Sequence, residues 1–282
     1  MKIILTGGTG FIGKNFLNLL KSKNIDVICF NREVLNNKSY LNNFTKSNLK
    51  TKKNDYVVIH LASEIDSSVK TISINITLTK KILDFCVKNK INRLIYASSH
   101  MVYGNTNYLP IDEEHTKKPK TYYGKSKLLS ENLCMSYSKK FNLDVIILRI
   151  SSVFGYGQNK NYVIPRMLND ALKKQIILHK YSNGFQLMDL IHVEDVSDAL
   201  LKCSMSKKSG IYNVASGVGI NPFELAQIIS KFTNDCKIII ENKKQKTNHF
   251  LYDISKIKSD MKFEISNQPT PKNLKSWFEK LK

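Results

Sequence analysis

The feature that most constrains the fold of this chain is a glycine-rich segment directly after its first apolar run. Lys2-Ile-Ile-Leu5 has the character of a buried strand, and Thr6-Gly-Gly-Thr-Gly-Phe-Ile-Gly13 follows it. Gly7, Gly10 and Gly13 have the spacing that permits a tight turn, a close approach of backbone to phosphate and close packing of a helix on a strand. Since a helix N-terminus attracts anions through its unpaired N–H groups, the segment predicts a strand–turn–helix unit that binds a dinucleotide.

Short apolar runs alternate with helical patterns through the first half of the chain. We expect further strands at Asp26–Phe30, Tyr56–Leu61, Leu94–Ser98 and Asp144–Ile150, and helices at Gly13–Lys23, Thr71–Asn89 and Ser126–Phe141. This alternation is typical of a parallel sheet covered on both faces. It breaks after about Gly155. We predict a doubly wound α/β domain over residues 1–165, with 186–215 returning to it, and a smaller substrate-binding α/β lobe over 166–185 and 216–282.

The charge of the chain, a net +21, raises the question of a polyanionic partner. Lys and Arg number 44 against 23 Asp and Glu, but only four of the 44 are arginines and the lysines are dispersed. Proteins that read bases and phosphates depend on the bidentate guanidinium of Arg. We interpret the excess as a solvated lysine coat and expect no nucleic-acid partner, although such a coat concentrates anionic ligands.

The cysteines and the apolar runs indicate the setting of the chain. Five cysteines lie far apart with no CxxC pair, which predicts reduced thiols rather than a disulfide scaffold. No apolar run reaches the 18 residues or so of a membrane span, and the first one is too short for a signal peptide. We therefore expect a cytoplasmic protein with no membrane association and no metal site.

The end of the second predicted strand reads Phe30-Asn31-Arg32-Glu33 and bears on the choice of dinucleotide. Folds that bind NAD usually carry an acid here for the ribose 2′-hydroxyl. Asn31 occupies that position and Arg32 follows, and an Arg would pair with a 2′-phosphate that a carboxylate would repel. We expect NADP(H); NAD(H) stays open, with Glu33 or a backbone group at the ribose.

Two segments carry candidate catalytic groups. Tyr123-Gly-Lys-Ser-Lys127 opens a predicted helix, so Tyr123 and Lys127 lie on one face. A tyrosine with an ordinary pKa near 10 transfers protons poorly at pH 7, and a nearby ammonium and a positive nicotinamide would favour its phenolate. Ser98 and Ser99, at the end of the preceding strand, could present a hydroxyl to the same reacting oxygen.

Together these segments resemble the extended short-chain dehydrogenase/reductase superfamily, in its NAD(P)-dependent epimerase/dehydratase branch that acts on nucleotide sugars. The resemblance runs along the whole chain and includes Asp55–Ser63, Asn75, Leu148–Gly155, Asp189–Val196 and Gly210–Gly217. It implies a Rossmann-type sheet and a homodimer formed through the helices at 71–89 and 126–141.

The resemblance also implies roles for individual residues. Ser99 would polarise the substrate oxygen, Tyr123 would act as general acid/base, and Lys127 would hold the nicotinamide ribose and lower the pKa of the tyrosine. The cofactor-binding residues would be Gly7, Gly10, Phe11, Ile12, Gly13, Asn31, Arg32, Leu61, Ala62, Ser63, Ser98, Tyr123, Lys127 and Ile150. The substrate-binding residues would be Ser99, His100, Tyr123, Ser152, Arg166 and Gln186.

Departures from the family pattern limit the reaction. Dehydratases of the family place an Asp–Glu pair after the catalytic residue, where this chain has His100 and Met101. A 4,6-dehydratase is therefore not expected, and His100 is either a packing residue or a second acid/base. Met188 stands where the family has an Arg for the substrate diphosphate, and Ser152 replaces its substrate-binding Asn. Lysines or Arg166 would have to hold the diphosphate.

Three functions remain open from the sequence. The residues favour an NADPH-dependent reductase of a 4-keto nucleotide sugar, which would serve deoxysugar and surface-polysaccharide synthesis. The alternative is a 4-epimerase that retains NAD and returns the hydride to the same sugar. A remote alternative is a non-catalytic protein that binds NAD(P) or a polyanion, against which the intact Tyr123 and Lys127 argue.

Overall fold

The computed structural model describes residues 1–31, 56–66, 68–233 and 236–281. Its strands are β1 (Lys2–Thr6), β2 (Val27–Phe30), β3 (Tyr56–His60), β4 (Arg93–Ser99), β5 (Asp144–Ile150), β6 (Ser152–Phe154), β7 (Gln175–Lys180), β8 (Met188–His192), β9 (Gly210–Val214), β10 (Gly219–Ile220) and β11 (Lys237–Asn242). Its helices are α1 (Phe11–Ser22), α2 (Lys70–Lys88), α3 (Tyr122–Phe141), α4 (Val163–Leu172), α5 (Val193–Met205), α6 (Pro222–Ser230), α7 (Ser255–Met261) and α8 (Pro271–Glu279), with a 3-10 turn at His100–Val102.

The central sheet orders its described strands β2-β1-β3-β4-β5-β9, and every neighbouring pair is parallel. The chain leaves β1 to form β2 on one side and later returns to form β3 on the other, so the strand order reverses beside β1. The doubly wound α/β fold predicted from the sequence is confirmed. In such sheets ligands bind beyond the carboxyl ends of the strands at the point of reversal.

Alternate residues of the central strands enter two different cores. Ile3 and Leu5 pack with Phe16 of α1, whereas Ile4 packs with Leu83 of α2 on the opposite face. Because side chains alternate across a strand, a sheet with helices on both faces buries every position. This explains why the strands read as continuous apolar runs rather than as alternating ones.

A third core belongs to the smaller lobe. It is formed by α4, α6, α8, β7 and β8, with Leu168, Ile176, Leu225 and Trp277 among its buried side chains. Beside this core lie a parallel pair, β11 and β7, and the three-stranded sheet β10-β8-β6, whose strands β8 and β6 come from 186–215 and 1–165. Ile257 of α7, from the segment 216–282, is buried in the core of the central sheet. The domain division stays a prediction.

The described helices and metal-ligating side chains bear on the wider setting of the chain. Among the described residues, no helix combines the length and the apolar character of a membrane span. No group of three or more His, Cys, Asp or Glu side chains in the described ranges could hold a metal ion.

Candidate active site

The glycine-rich turn lies at the carboxyl end of β1, where the chain passes close to the end of β3. Gly7 has a φ of +77°, and a Cβ there would lie 2.6 Å from the backbone N of Ala62. A Cβ on Gly13 would lie 2.1 Å from the carbonyl O of Gly7. Both contacts are with backbone, so both positions require glycine. Helix α1 begins directly after Gly10, which is the arrangement that binds a pyrophosphate.

One cavity of about 1370 Å³ adjoins this turn and is lined by residues of both lobes. Its lining contains the predicted cofactor residues Gly7, Gly10, Phe11, Ile12, Gly13, Asn31, Leu61, Ala62, Ser63, Ser98, Tyr123, Lys127 and Ile150. A pocket for one small ligand occupies about 300–1,000 Å³, so this cavity has room for a dinucleotide and a second molecule. The glycine cradle and the volume both fit a dinucleotide. Arg32, on which the NADP(H) prediction depends, lies outside the described residues.

Three side chains that line the cavity lie close to one another. The Ser99 hydroxyl is near enough to that of Tyr123 to lower its pKa. Lys127 lies one helical turn after Tyr123, with its Nζ 5.5 Å from the centroid of the Tyr123 ring. The same Nζ donates a hydrogen bond of 2.6 Å to the carbonyl O of Ala97 in β4. The predicted catalytic residues are therefore brought together at the carboxyl end of β4.

The start of α3 positions Tyr123. The Thr121 hydroxyl caps the helix by accepting from the N–H of Gly124 at 3.0 Å, so α3 begins at Tyr122 rather than at Ser126 as expected. A Cβ on Gly124 would lie 2.5 Å from the carbonyl O of Met101. A glycine here lets the helix pack directly on the turn that carries Ser99, which is why the two hydroxyls lie close together.

Burial dominates the electrostatics of this centre. It lowers the pKa of Lys127 to about 7, with Cys134 and Glu131 acting in the opposite direction. Burial and the neighbouring Tyr162 raise the pKa of Tyr123, and the hydrogen bond with Ser99 only partly offsets them. The sequence led us to expect a lowered tyrosine pKa. The chain's own groups act in the other direction, so the lowering would have to come from the positive nicotinamide.

Ser98 has a different partner from Ser99. Its hydroxyl donates to the carboxylate of Glu131, which also forms a buried ion pair of 2.8 Å with Arg149. Arg149 donates in turn to the hydroxyl of Tyr103. Ser98 lines the cavity, but its hydroxyl is used to anchor α3 to the sheet. Of the two serines, Ser99 is the one whose hydroxyl acts on the pKa of Tyr123.

Asn75 links α2 to the loop after β3 and to α3. Its side-chain amide accepts from the N–H of Glu64 at 2.7 Å and donates to the carbonyl O of Glu64 at 2.9 Å. It also donates to the hydroxyl of Ser126 in α3 at 2.9 Å. The three bonds hold the loop after β3 against the helix that carries the catalytic tyrosine.

His100 begins the 3-10 turn and faces the cavity. Its Nδ1 lies 2.8 Å from the hydroxyl of Tyr252, and the rings of Phe250 and Tyr252 meet its own ring edge-on. Burial lowers the pKa of His100 to about 4, so the ring is neutral at pH 7.

The predicted substrate residues are only partly assembled. Ser152 and Gln186 line the cavity together with Ser99, His100 and Tyr123. Arg166 does not line it and lies exposed on α4. Of the C-terminal lysines considered for a diphosphate, Lys243 forms a 3.0 Å ion pair with Glu241.

Sequence reasoning missed several lining residues. Tyr162, Gln158, Phe250 and Tyr252 all border the cavity. Tyr162 directly precedes α4, and Phe250 and Tyr252 come from the segment after β11. No local pattern marked these positions, because tertiary packing alone brings them beside Ser99.

Comparison with known proteins agrees with the fold. The profile of the NAD dependent epimerase/dehydratase family matches residues 3–215. A putative UDP-glucose 4-epimerase of Methanocaldococcus jannaschii is 33% identical over 248 residues, which cover 80% of this chain and 81% of that protein. A dTDP-D-glucose 4,6-dehydratase of Dictyostelium discoideum is 28% identical, over 81% of this chain and 61% of that protein.

A solved structure extends the comparison to the whole fold. The UDP-glucose 4-epimerase of Thermotoga maritima superposes with a TM-score of 0.85 at 21% identity, over 100% of this chain and 98% of that one. The fold, the family profile and the meeting of Ser99, Tyr123 and Lys127 in one cavity therefore agree. This chain belongs to the NAD-dependent epimerase/dehydratase family of the extended short-chain dehydrogenase/reductases.

Proposed function

We propose that this protein is a nucleotide-sugar 4-epimerase, which oxidises the C4 hydroxyl of a nucleoside-diphosphate hexose and reduces the resulting ketone from the other face. The observation that carries the proposal is the meeting of Ser99, Tyr123 and Lys127 in a cavity with room for two molecules. The sequence alone favoured net reduction. Support for epimerisation comes from the 33% identity to a putative UDP-glucose 4-epimerase over most of both chains.

Tyr123 moves the proton in both directions. During oxidation its phenolate oxygen takes the proton of the C4 hydroxyl, and during reduction its hydroxyl returns a proton to O4. Ser99, whose hydroxyl acts on the pKa of Tyr123, donates to the same sugar oxygen. NAD(P), when bound, supplies the hydride chemistry. Lys127 would hold the nicotinamide ribose, and its side chain loses its charge as the pH rises through about 7. The phenolate would be favoured by the positive nicotinamide when the cofactor is bound.

The residues after Ser99 argue against dehydration. Elimination of water needs an acid and a base, and this chain has His100 and Met101 where the family's dehydratases carry two carboxylates. His100 is neutral because burial lowers its pKa to about 4, and Met101 has no titratable group. The similarity of this chain to a 4,6-dehydratase therefore does not extend the proposal to dehydration, because the residues after Ser99 supply no acid and base for it.

The second candidate is a 4-keto reductase that uses NADPH. Asn31 is the observation that favours it, because it lines the cavity at the end of β2 and brings no carboxylate to the ribose. A neutral residue there tolerates a 2′-phosphate. Arg32 would strengthen this preference if it pairs with that phosphate, and the preference for NADP(H) stays a prediction.

One experiment separates the two reactions. The purified protein is denatured to release and identify any bound dinucleotide. The native protein is then incubated with UDP-glucose, UDP-galactose and UDP-N-acetylglucosamine without added cofactor, and the products are read by proton NMR. Interconversion of C4 epimers supports the proposal. No interconversion, together with NADPH oxidation in the presence of a 4-keto nucleotide sugar, would overturn it in favour of the reductase.

We further propose a homodimer formed through α2 and α3, which pack side by side. Large apolar side chains on these helices are exposed, including Ile74, Leu129 and Phe141 at 46%, 45% and 42%. Covering such side chains in a second subunit is favourable by roughly 25 cal/mol per Å² of apolar surface. Light scattering coupled to gel filtration tests this: a monomer at micromolar concentration would refute it.

A further inference from the structure

The pair formed by His100 and Tyr252 joins the end of β4 to the segment after β11 beside the reacting centre. His100 directly follows Ser99, whereas Tyr252 comes from the C-terminal segment of the chain. Both line the cavity, and the Nδ1 of His100 lies 2.8 Å from the hydroxyl of Tyr252. The catalytic mechanism proposed above uses neither residue.

Tyr252 is held firmly from its backbone. Its N–H donates to a carboxylate oxygen of Asp189 at 3.2 Å, and it forms an isolated β-bridge with Ile111. Only 3% of the residue is exposed, and its ring lies against that of Tyr103, with the centroids 6.1 Å apart. The position of the Tyr252 hydroxyl is therefore fixed by the fold rather than by a bound ligand.

The chemistry of the pair selects one tautomer of the histidine. Burial raises the pKa of Tyr252 far above its ordinary value and lowers the pKa of His100 to about 4, so both groups are neutral at pH 7. The Tyr252 hydroxyl has no other acceptor among the described residues, so its proton is paired only by donation to Nδ1. A neutral imidazole carries one N–H, which then lies on Nε2. Nε2 has no hydrogen-bond partner in the part of the chain that the structure describes.

We propose that His100 donates a hydrogen bond from Nε2 to an oxygen of the bound sugar beside the reacting carbon, and that Tyr252 is the positioning residue that fixes the donor tautomer. The inference rests on the proposed function in that the ligand is a nucleotide sugar. It makes His100 a hydrogen-bond donor rather than a second acid/base. It also gives the segment after β11 a part in choosing the sugar, because a ligand with no oxygen at that point leaves the donor unpaired.

The tautomer can be measured in the protein without any turnover. Two-bond ¹H–¹⁵N spectra of histidine-labelled protein distinguish the two neutral forms, and a His100→Gln variant assigns the signal. We expect the Nε2–H form in the wild type, a mixture of forms in Tyr252→Phe, and movement of the His100 signal on addition of UDP-glucose. An Nδ1–H form in the wild type, an unchanged signal in Tyr252→Phe, or no response to UDP-glucose would each overturn the proposal.

A kinetic cycle tests whether the two residues act as a unit. We expect Tyr252→Phe and His100→Leu each to lower kcat/KM for the nucleotide sugar by about 3- to 30-fold, which is the range for one lost hydrogen bond. The double variant should be no slower than His100→Leu alone, whereas multiplied losses would contradict the coupling. Tyr212→Phe is the matched control, since it removes a buried hydroxyl bonded to Asp260 outside the cavity lining. If the proposed epimerase function is wrong, the wild type will interconvert no sugar. The NMR measurement of the His100 tautomer does not depend on turnover and would still test the present proposal.

Discussion

The two halves of the cavity differ in what forms their walls. In the dinucleotide half the decisive contacts are between backbone atoms, at Gly7 and Gly13. In the substrate half they are made by side chains that come from separate parts of the chain, such as Tyr162, Gln186 and Tyr252. A backbone contact admits one residue type, whereas a side-chain contact can be made from many positions. The dinucleotide half can therefore be recognised in the sequence as a motif. The residues of the substrate half can differ between proteins that bind different substrates.

Tyr123 lies where the two halves meet, and its loss should have the largest effect. We expect Tyr123→Phe to lower kcat by about 10²- to 10⁴-fold, the usual contribution of a general acid/base, with the dinucleotide still bound. Product NMR gives the rate, and fluorescence titration gives the dinucleotide affinity. Tyr122→Phe is the control, because Tyr122 is the adjacent tyrosine and is 41% exposed. If kcat fell equally in the two variants, the hydroxyl of Tyr123 would not be the group that transfers the proton.

Gly13→Ala should disrupt the dinucleotide half selectively. Its Cβ would lie 2.1 Å from the carbonyl O of Gly7, so the turn must shift. We expect loss of about 1–3 kcal/mol in the free energy of unfolding and at least about 10-fold weaker dinucleotide binding. Calorimetric titration with NAD and NADP, and thermal unfolding, measure both effects.

Gly10→Ala is the matched control for that change. Gly10 has an ordinary φ of −76°, and its Cβ would lie 3.3 Å from the same carbonyl O. We expect a change of less than about 1 kcal/mol, within the range of mild substitutions. If Gly10→Ala were as damaging as Gly13→Ala, close backbone contact would not be what sets the sequence of the turn.

Lys127 is a buried charged residue, and its burial lowers the free energy of unfolding. Its ordinary pKa of 10.5 falls to about 7 because of burial, which corresponds to roughly 5 kcal/mol of destabilisation at most. The folded state binds the proton more weakly than the unfolded state, so the penalty is full below about pH 7 and disappears as the pH rises from 7 to 10.5. The 2.6 Å hydrogen bond to Ala97 offsets part of it.

We therefore expect Lys127→Met to raise the free energy of unfolding at pH 6 by about 2–5 kcal/mol while it abolishes turnover. Denaturant unfolding at pH 6, 8 and 10 should show the gain shrinking with pH. Lys125→Met, on the exposed side of the same helix turn, should change stability by less than about 0.5 kcal/mol. A less stable Lys127→Met at pH 6 would mean that the hydrogen bond to Ala97 outweighs burial.

The same contrast explains what could be predicted from the sequence. The parallel sheet followed from continuous apolar strands, since sheets with helices on both faces bury both sides. Gly7, Gly13, Tyr123 and Lys127 followed from local spacing, because each acts within one turn or one helix face. Spacing left Ser98 and Ser99 as alternatives, and only the family resemblance favoured Ser99. Phe250 and Tyr252 could not be predicted, since the bridge to Ile111 and the bond to Asp189 that place them join distant parts of the chain.

Arg166 shows why charge alone predicts a binding residue poorly. It was considered for the substrate diphosphate because Met188 stands where the family pattern has an arginine. Helix α4 buries Ile164, Met167 and Leu168, and this leaves Arg166 exposed and outside the cavity lining. Helical periodicity within α4 was the signal that could have placed it on the outer face.

Gln186 should show the smallest effect, because the substrate half distributes recognition over many side chains. Its amide donates to the carbonyl O of Asn248 at 3.1 Å, and the residue lines the cavity. We expect Gln186→Ala to raise KM for the nucleotide sugar by about 3- to 10-fold, the effect of one neutral hydrogen bond, with kcat and dinucleotide affinity unchanged. Steady-state kinetics over a range of sugar concentrations tests this. A change in dinucleotide affinity instead would mean that Gln186 also supports the glycine-rich turn. The two halves of the cavity would then not be separate at this position.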